Sequence, residues 1–497
     1  MCTEDEDVGW RKTQVTIEVP FSWTTAQLGS RPYEAVDLYH RPLIPVIREK
    51  LLNAQDDKLF HYEPYELQWS TPHLLHEVNI HSELYTSLAY MDVHRELQES
   101  PGEPGCDLPR VVVALMFWSD ATHLTTFGNV QLWLVYMYFG NESKYRHCKP
   151  SHHLGNHVAY FQKLPDLFKD FVSTYTNGKG ASHKCVTHCH CELFQAQWNV
   201  LLDDEFLEAY EHGILILCCD GIEHRFYLQI FTYSADYPEK VLIATIAAGR
   251  VPLSKMSDTD RTASQCGNEL SELVAAASSL IYNKNYGVGS TGVKMLLKPH
   301  LWVPTLNIFS DALGAFRFSL FAMLVVDLLH EVELGVWRML FIHLLRILFT
   351  LDQDLVNELD KRYRQVPHSD PQPLDGSLAN TFELSNMATW NFDDLLQCSI
   401  LVFEGLLPDD HNKIVIDLLF IMTHWHTKLW MHSDLTLEIF DQQTTKLGEQ
   451  LRQFKANVCT VYSTQELDRE VNVRSRRQVK EAAKWAEKGG SQQEAAA

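Results

Sequence analysis

The sequence lacks two features that would direct it out of the cell or into a membrane. Its start, MCTEDEDVGWRK, has no basic segment followed by an apolar run, so it does not resemble a secretory signal. The most apolar long stretch, residues 318–350, is interrupted by charged and His residues and offers no continuous run of membrane-spanning length. These absences predict a nuclear or cytoplasmic protein that is neither secreted nor inserted in a membrane.

The sequence is also short of positive charge. It has 42 Lys and Arg against 64 Asp and Glu, which gives a net charge of −22. Such a balance repels nucleic acid and anionic membrane surfaces unless basic residues cluster locally. A nucleic-acid role would therefore depend on a specific site rather than on overall charge.

The 11 cysteines are odd in number and scattered, which favours reduced thiols in a chain without a secretory start. The segment HKCVTHCHC, residues 183–191, supplies Cys185, His188, Cys189 and Cys191 as candidate zinc ligands. It lacks the two separated ligand pairs that close a structural zinc site. The spacing favours an adventitious metal or none, and a zinc-binding module remains the third alternative for function.

Length and composition predict a folded protein with more than one core. The chain has 497 residues, of which 45% are hydrophobic and 21% charged. We expect five segments with different roles: an irregular lead segment (1–105), the first part of a sheet-containing core (106–250), a loop-rich and then helical insertion (251–395), a helical part completing the core (396–465), and a charged helical or disordered tail (466–497).

The first candidate site residue follows a buried strand. The apolar run Val111–Trp118 leads directly to Asp120, at the position where α/β enzymes often place a catalytic or metal-binding carboxylate. Two further strands are predicted at Gln131–Phe139 and Ala159–Leu164, with Gly140 and Asn141 as a turn signal. These three strands predict an antiparallel meander.

A second strand ends on an aspartate. The hairpin from Gly213 to Tyr233 turns at Asp220-Gly221, and its second arm ends on Asp236 just before a proline. Acids on the first and fourth strands, with helices between the third and fourth, predict a ribonuclease H-like mixed sheet flanked by helices. Two or three such carboxylates can hold two Mg²⁺ ions about 3.5–4 Å apart for phosphoryl transfer. Taken alone, two strand-end aspartates are more typical of solvated strand ends than of a metal site.

Six blocks add a resemblance to a known family. They are SDATHLTTFGN (119–129), YFGNESKY (138–145), LLDDEFLEAYEHGI (201–214), DGIEHRFYLQIFTYSADYPEKVLIATI (220–246), DLLHEVELGVW (327–337) and FEGLLPDDHN (403–412). In this order they resemble the Plavaka transposases of fungi, which belong to the Kyakuja-Dileera-Zisupton group of cut-and-paste DNA transposons. The resemblance covers roughly residues 40 to 475.

The resemblance implies a DDE transposase with a ribonuclease H-like core and a helical insertion. Its reaction is Mg²⁺- or Mn²⁺-dependent DNA cleavage and strand transfer. Asp120 and Asp236 would be the first two acids and metal ligands, and the D-x-x-H element of the family falls on Asp327 and His330. The third acid should follow that element, and Glu404 is the first candidate. The implied partners are transposon DNA ends and, in a homo-oligomer, further copies of the chain.

Three other acids compete for the third position. Glu438 is the next candidate after Glu404, and Glu331 and Glu333 lie within the apolar segment that carries the D-x-x-H element. In an α-helix, residues 327, 330, 331 and 334 share one face, so Asp327, His330 and Glu331 could converge. A hydrogen-bonded structural network is an equally good interpretation, and we place these residues beside the site.

The departures from the family predict a truncated or degenerate copy. A Cys-rich knuckle expected after ADYPEK is replaced by IATIAAGRVPLSKM, and an acidic start stands where a DNA-reading zinc finger is expected. The chain also stops soon after RSRRQVK, where family members generally continue. The leading hypothesis is therefore a transposon-derived protein whose ancestor cleaved DNA and transferred the cut strand. The sequence leaves open whether this copy still carries out that reaction. The alternative is a catalytically dead or co-opted interaction protein that keeps the fold.

Overall fold

The structure is a computed structural model. It describes residues 9–22, 27–70, 72–73, 76–123, 131–219, 221–246, 272–300, 302–316, 318–366, 390–427, 432–467, 470–472, 474–476 and 478–479. The described residues of Met1–Glu66 and Glu83–Asp327 form one compact unit, and those of Leu67–Ser82 and Leu328–Ala497 form a second. We call them the sheet unit and the helical unit.

The described strands divide between these two units. In chain order they are β1 (Arg11–Phe21), β2 (Gly29–His40), β3 (Leu67–Trp69), β4 (Val78–His81), β5 (Arg110–His123), β6 (Gln131–Phe139), β7 (Asn156–Gln162), β8 (Ile214–Leu217), β9 (Glu223–Ser234) and β10 (His432–Ser433). The sheet unit holds a seven-stranded sheet in the order β1-β2-β7-β6-β5-β9-β8, in which β5 and β9 are parallel and the other neighbours antiparallel. The fold is therefore mixed α/β.

Helices cover this sheet. They are α1 (Leu43–Leu51), α2 (Ala54–Asp57), α3 (Leu88–Glu99), α4 (Lys144–His147), α5 (Leu167–Tyr175), α6 (His183–Leu201), α7 (Asp204–His212) and α8 (Tyr237–Ile243). Further helical segments of the sheet unit are residues 272–278, the π-helix Ser279–Asn283, and the helices Thr291–Leu297, Ile308–Leu313 and Leu320–Met323. Short 3₁₀ turns lie at Leu84–Thr86, Pro150–His152, Lys298–His300 and Gly314–Phe316.

Strand β5 is buried on both faces, which explains its continuous apolar sequence. On one face Phe117 contacts Trp198 of α6, with the rings 5.1 Å apart in an edge-on arrangement. On the other face Val112 and Ala114 pack against Tyr90 of α3. This double cover fixes the strand that ends near Asp120.

The lead segment is not irregular, contrary to our expectation from the sequence. Strands β1 and β2 form the far edge of the seven-stranded sheet, and α1 and α3 lie in the same segment. The buried side chains Val15, Ile17 and Val19 alternate with exposed ones along β1. This two-residue period is the sequence signal of the strand.

The meander and the hairpin that we predicted are present. Strands β5, β6 and β7 pair as consecutive antiparallel neighbours, with β7 a few residues earlier than expected. Strands β8 and β9 form the hairpin, and Gly221 in its turn has a φ of +80°, which favours glycine. Asp220 lies outside the described residues. The mixed sheet with flanking helices is confirmed in this general form.

The helical unit has a core of its own. Its elements are the π-helix Leu328–Trp337, the helices Arg338–Leu351, Gln353–Gln365, Trp390–Phe403, Asp409–His426 and Asp434–Phe454, the π-helix Lys455–Cys459, and a small sheet in the order β10-β4-β3. Trp337, Phe341, Leu396 and Phe403 are buried together in this core. Residues 396–465 thus pack with residues 328–366.

One stretch of the described chain, Leu328–Leu351, has the length and hydropathy of a membrane-spanning helix. It begins with π-helical geometry and continues as an α-helix from Arg338. Phe341, Leu344 and Leu345 are fully buried in the core of the helical unit. A single helix of this kind is also typical of the core of a soluble protein, so it is weak evidence for a membrane.

Candidate active site

Asp120 and Asp236 occupy equivalent positions on neighbouring parallel strands. The last pair of residues in the β5–β9 register is Trp118 with Ser234, and each aspartate follows its strand residue by two positions. Neighbouring strands lie about 4.8 Å apart. The register therefore brings both aspartates to the same end of the β5–β9 pair. Contrary to the prediction from the sequence, Asp120 does not end its strand, because β5 continues to His123 through its pairing with β6, whereas Asp236 follows the end of β9 by two residues.

Asp120 is exposed because of the alternation of side chains along β5. Ser119 is 1% exposed and points to the face that α6 covers, whereas Trp118 and Asp120 point the other way and are exposed. Asp120 also pairs with Leu134 of β6. Its backbone is held from a neighbouring strand while its carboxylate remains accessible.

Asp236 begins helix α8. It is the N-cap residue, and its Oδ1 accepts a hydrogen bond of 2.8 Å from the backbone N–H of Glu239. An aspartate is among the best N-cap residues, and Pro238 suits the first turn because a helix leaves the N–H groups there without intrahelical partners. The local sequence thus fixes where the strand stops and where the Asp236 carboxylate lies.

Glu239 is a third acid at this edge that sequence reasoning missed. It is 2% exposed, and the Ser119 hydroxyl donates a short hydrogen bond to its Oε1. Its Oε2 is buried and has no hydrogen-bond partner among the described residues. Burial raises the pKa of Glu239 to about 8, with further contributions from the charges of Asp236 and Asp120 and a partly opposing one from Ser119.

A cation also lies near these acids. Lys163 directly follows β7, and its Nζ is 5.0 Å from the centre of the Trp133 ring on β6. Burial lowers the pKa of Lys163, while the charge of Asp236 raises it, so the ammonium group is within electrostatic reach of that carboxylate. His190 of α6 lies in the same environment, since burial and Lys163 both lower its pKa.

The chain that leads to Asp327 runs along the same end of β9. Leu324 forms a parallel bridge with Tyr233, and the N–H of Val325 donates to the Tyr233 carbonyl at 3.3 Å. Asp327 follows two residues later and is 7% exposed. The start of the D-x-x-H element is therefore attached to the sheet unit, while His330 belongs to the helical unit.

We expected the D-x-x-H element to form one face of an α-helix, and that prediction is wrong. Leu328–Trp337 is a π-helix, in which hydrogen bonds join residues five apart instead of four, so the spacing of an α-helical face does not apply. Consistent with this, a Cβ on Gly335 would lie 2.9 Å from the carbonyl oxygen of His330. His330 and Glu331 are half-buried, and Glu333 is 9% exposed.

Glu333 belongs to a network inside the helical unit. Its Oε1 lies 3.2 Å from Nε2 of His426, and Nδ1 of the same imidazole lies 3.4 Å from Oδ1 of Asp393. His426 thus links the π-helix to helix Trp390–Phe403. The network of Asp327, His330 and Glu331 that the sequence left open is a different one, and it stays a prediction.

The two candidates for the third acid are both exposed residues of the helical unit. Glu404 follows helix Trp390–Phe403, and its carbonyl oxygen accepts a 2.6 Å hydrogen bond from Arg362. The next residue, Gly405, has a φ of +73°. Glu438 lies within helix Asp434–Phe454. Their roles as third acid stay predictions.

The zinc candidates lie on α6 and do not converge. Cys185, His188 and Cys189 share one face, whereas Cys191 points to another because two residues turn an α-helix by about 200°. Both ring nitrogens of His188 are within hydrogen-bond distance of hydroxyl groups, Nε2 of Tyr282 at 2.9 Å and Nδ1 of Thr305 at 3.3 Å. These contacts make His188 part of the core.

Among the residues that the structure describes, no group of three or more His, Cys, Asp and Glu side chains is arranged to hold a metal ion. Asp120 and Asp236 nevertheless fit a divalent cation. Mg²⁺ is usually held by one or two carboxylates together with water and substrate phosphates rather than by an all-protein cage. Carboxylate oxygens also suit Mn²⁺. Burial raises the pKa of Glu239, and the charges of Asp236 and Asp120 raise it further, so both carboxylates act on the same part of the sheet edge.

Comparison with known proteins adds the family. The family described as Plavaka transposase matches residues 2–344, which include both strand-end aspartates, Lys163, Glu239 and the D-x-x-H element. No curated protein matches the chain. Because the match covers more than half of the sequence, the chain belongs to the Plavaka transposase family.

Proposed function

We propose that this chain is a DDE-type transposase core that cleaves DNA and transfers the cut strand. The observation that carries the proposal is that Asp120 and Asp236 each lie two residues beyond Trp118 and Ser234, the last pair in the register of the parallel strands β5 and β9. The β5-β6-β7 meander with β9 parallel to β5 is also the strand arrangement expected of a ribonuclease H-like fold. Membership of the transposase family supports the same reaction.

In this proposal Asp120 and Asp236 hold Mg²⁺ or Mn²⁺. A bound divalent ion would neutralise charge on the scissile phosphate and activate a hydroxyl group or water for in-line attack. The exposed side chain of Asp120 leaves room for a phosphate from solvent. The hydrogen bond from the backbone N–H of Glu239 to Oδ1 of Asp236 orients the second carboxylate.

We propose that Lys163 contacts the DNA phosphate next to the scissile bond. Its ammonium group lies over the Trp133 ring, 5.0 Å from the ring centre, and interacts electrostatically with Asp236. A lysine in this place supplies positive charge that the chain as a whole lacks, since its net charge is −22. The third acid stays a prediction from the sequence, with Glu404 the first candidate and Glu438 the second. A DNA substrate favours action in the nucleus, and multiple copies of the chain would bring two transposon ends together.

The proposal is tested by nicking of supercoiled plasmid DNA in the presence of Mg²⁺ or Mn²⁺. We expect the wild-type chain to nick, the D120N variant to be inactive, and the D37N variant to match the wild type. Asp37 is the matched control because it is an aspartate of the same sheet whose side chain is 47% exposed and forms an ion pair with Lys12 at the surface. Equal activity of D120N and wild type, or none from either, would refute catalysis by this edge.

The alternative is a co-opted interaction protein that keeps the fold without the reaction. The observation that favours it is the net charge of −22, which opposes binding to DNA. This alternative predicts a folded wild-type chain that neither nicks DNA nor binds Mn²⁺. Binding of Mn²⁺ that depends on Asp120 would exclude it.

A further inference from the structure

We propose that Glu239 is a positioning residue, which joins the strand end that carries Asp120 to the helix start that carries Asp236. This inference rests on the proposed function, because it concerns how those two carboxylates are held for a divalent cation. It adds a role for a residue that is neither a strand-end acid nor part of the D-x-x-H element.

The hydrogen bonds around Glu239 connect three elements of the sheet unit. The Ser119 hydroxyl of β5 donates to Oε1 of Glu239 on α8, and the Tyr233 hydroxyl of β9 lies 2.7 Å from Ser119 Oγ. Ser119 directly precedes Asp120. The backbone N–H of Glu239 also donates a hydrogen bond to the carboxylate of Asp236, the N-cap residue of α8. One side chain and its own backbone therefore restrain both aspartates.

This network is closed to solvent. Ser119 is 1% exposed, Glu239 2% and Tyr233 0%. The Tyr233 ring packs edge-on against Trp198 of α6 at 5.4 Å. Hydrogen bonds in such surroundings are strong and rigid, and buried polar networks often specify a single arrangement of the chain.

The buried Oε2 of Glu239 is the sign that this carboxyl group does more than fill the core. Among the described residues it has no hydrogen-bond partner. A buried polar atom left unpaired costs about 1–3 kcal/mol, which an apolar residue of similar size would avoid. Such unpaired buried groups concentrate where function requires them.

Direct metal binding by Glu239 agrees less well with the geometry. Oε1 is occupied by Ser119, and Ser119 and Asp120 point to opposite faces of the sheet because neighbouring side chains of a strand alternate. A positioning role needs only that both aspartates be held still. Loss of partners that orient metal ligands typically costs about 10–100-fold in metal affinity.

The test is Mn²⁺ binding to the purified full-length chain, followed by electron paramagnetic resonance, together with thermal unfolding of each variant. The variants are E239A, E239Q and S119A, with D120N as the test of the site itself. N141A is the stability control, since Asn141 is fully buried and bonds to the N–H of Ala114 earlier in β5. This readout does not require DNA cleavage.

We expect E239A and S119A to weaken Mn²⁺ binding about tenfold to a hundredfold in chains that remain folded. E239Q keeps a carbonyl oxygen that accepts from Ser119, so its Mn²⁺ affinity should stay within about threefold of the wild type. N141A should unfold at lower temperature and bind Mn²⁺ normally. If E239A fails to fold, S119A and E239Q still decide the question.

Three results would overturn the proposal, each in a different way. Normal Mn²⁺ affinity in folded E239A and S119A would leave Glu239 with a packing role only. Loss of binding in E239Q as complete as in D120N would make it a direct ligand instead. Failure of the wild type to bind Mn²⁺ would remove the proposed function and this inference with it, whereas binding abolished by D120N alone would remove only the inference.

Discussion

The sheet unit and the helical unit each place two carboxylates near one another, with opposite consequences. At the sheet edge, burial raises the pKa of Glu239, and the charges of Asp236 and Asp120 raise it further. In the helical unit, the imidazole of His426 lies between the carboxylates of Glu333 and Asp393. A side chain of the protein thus bridges the two carboxylates in the second place, whereas in the first the side chain of Asp120 is exposed to solvent.

This difference separates a structural cluster from a functional one on physical grounds. Buried carboxylates are costly unless they have partners, so a cluster that supplies its own partner adds rigidity and needs no ligand. An exposed carboxylate at a sheet edge can meet a divalent cation together with its water and phosphate ligands. The His426 cluster gives Glu333 a structural partner, and metal binding at the sheet edge stays our proposal.

The largest effect that we expect is from Asp236→Asn at the sheet edge. Metal-dependent nicking should fall more than about a hundredfold, because loss of a ligand should exceed the 10–100-fold cost of losing a partner that orients one. Asn is as good an N-cap as Asp, so the free energy of unfolding should change by less than about 0.5 kcal/mol. Nicking assays and urea unfolding of the same preparation measure both. A loss of activity that merely follows a loss of folded protein would contradict the assignment of Asp236 as a ligand.

His426→Ala should have its effect on stability instead. Removing the imidazole leaves Glu333 and Asp393 facing each other, which we expect to lower the free energy of unfolding by about 3 kcal/mol. The variant should keep normal Mn²⁺ binding at the sheet edge. His424→Ala in the same helix is the matched control, with an expected change of about 0.5 kcal/mol. Loss of Mn²⁺ binding in His426→Ala would show that the two clusters do not have separate roles.

A third buried group, His188, adds to the comparison, because its ring nitrogens face the hydroxyl groups of Tyr282 and Thr305 and Nδ1 also lies 3.8 Å from the carboxylate of Glu192. Burial lowers the pKa of His188 from its ordinary 6.5 to about 4, so the folded chain binds fewer protons there than the unfolded chain between these pH values. The stability contributed by neutral His188 is complete above about pH 6.5 and is lost as the pH falls toward 4. Unfolding of wild type and His188→Gln across this range should differ by about 2–3 kcal/mol in pH dependence. Parallel curves for the two proteins would show that His188 is already charged or accessible in the folded chain.

The smallest effect that we expect is a difference in stability between two variants of Asp236. It separates the role of this residue as a helix cap from the role of its charge. Asp236→Ala removes the acceptor for the Glu239 N–H, whereas Asp236→Asn keeps it, so the alanine variant should be about 1 kcal/mol less stable than the asparagine variant. Both should lose metal-dependent nicking. Chemical unfolding of the two variants side by side gives the difference, and equal stability would mean that the cap does not hold the start of α8.

The two strand-end aspartates were predictable because local sequence carries their signals. An apolar run marks a strand buried on both faces, and the D-Y-P-E sequence marks the start of a helix with Asp236 as its cap and Glu239 three residues later. The same pattern also explains why Glu239 was missed. An acid in the first turn of a helix is ordinarily a solvated capping residue, and nothing local shows that the turn is covered.

The π-helix could not be predicted from spacing for a similar reason. DLLHEVELGVW fits an α-helical face as well as any apolar segment does, and the choice of wider turns depends on what the segment packs against. Strand β1 was different, since the alternation of Val15, Ile17 and Val19 was available in the sequence. What the sequence could not show is that this strand joins the edge of the main sheet through β2.

The sequence by itself determined the family, the strands of the meander and hairpin, and the placement of Asp120 and Asp236 just after apolar strand segments. These follow from hydrophobic periodicity, turn residues and capping, which act over a few residues. The tertiary structure alone decided which side chains are covered and which meet. It set the parallel register of β5 and β9, closed solvent away from Glu239, and gave His426 its two carboxylate partners. Burial and pairing arise between segments distant in the chain, so the electrostatics that distinguish the two clusters are properties of the folded molecule.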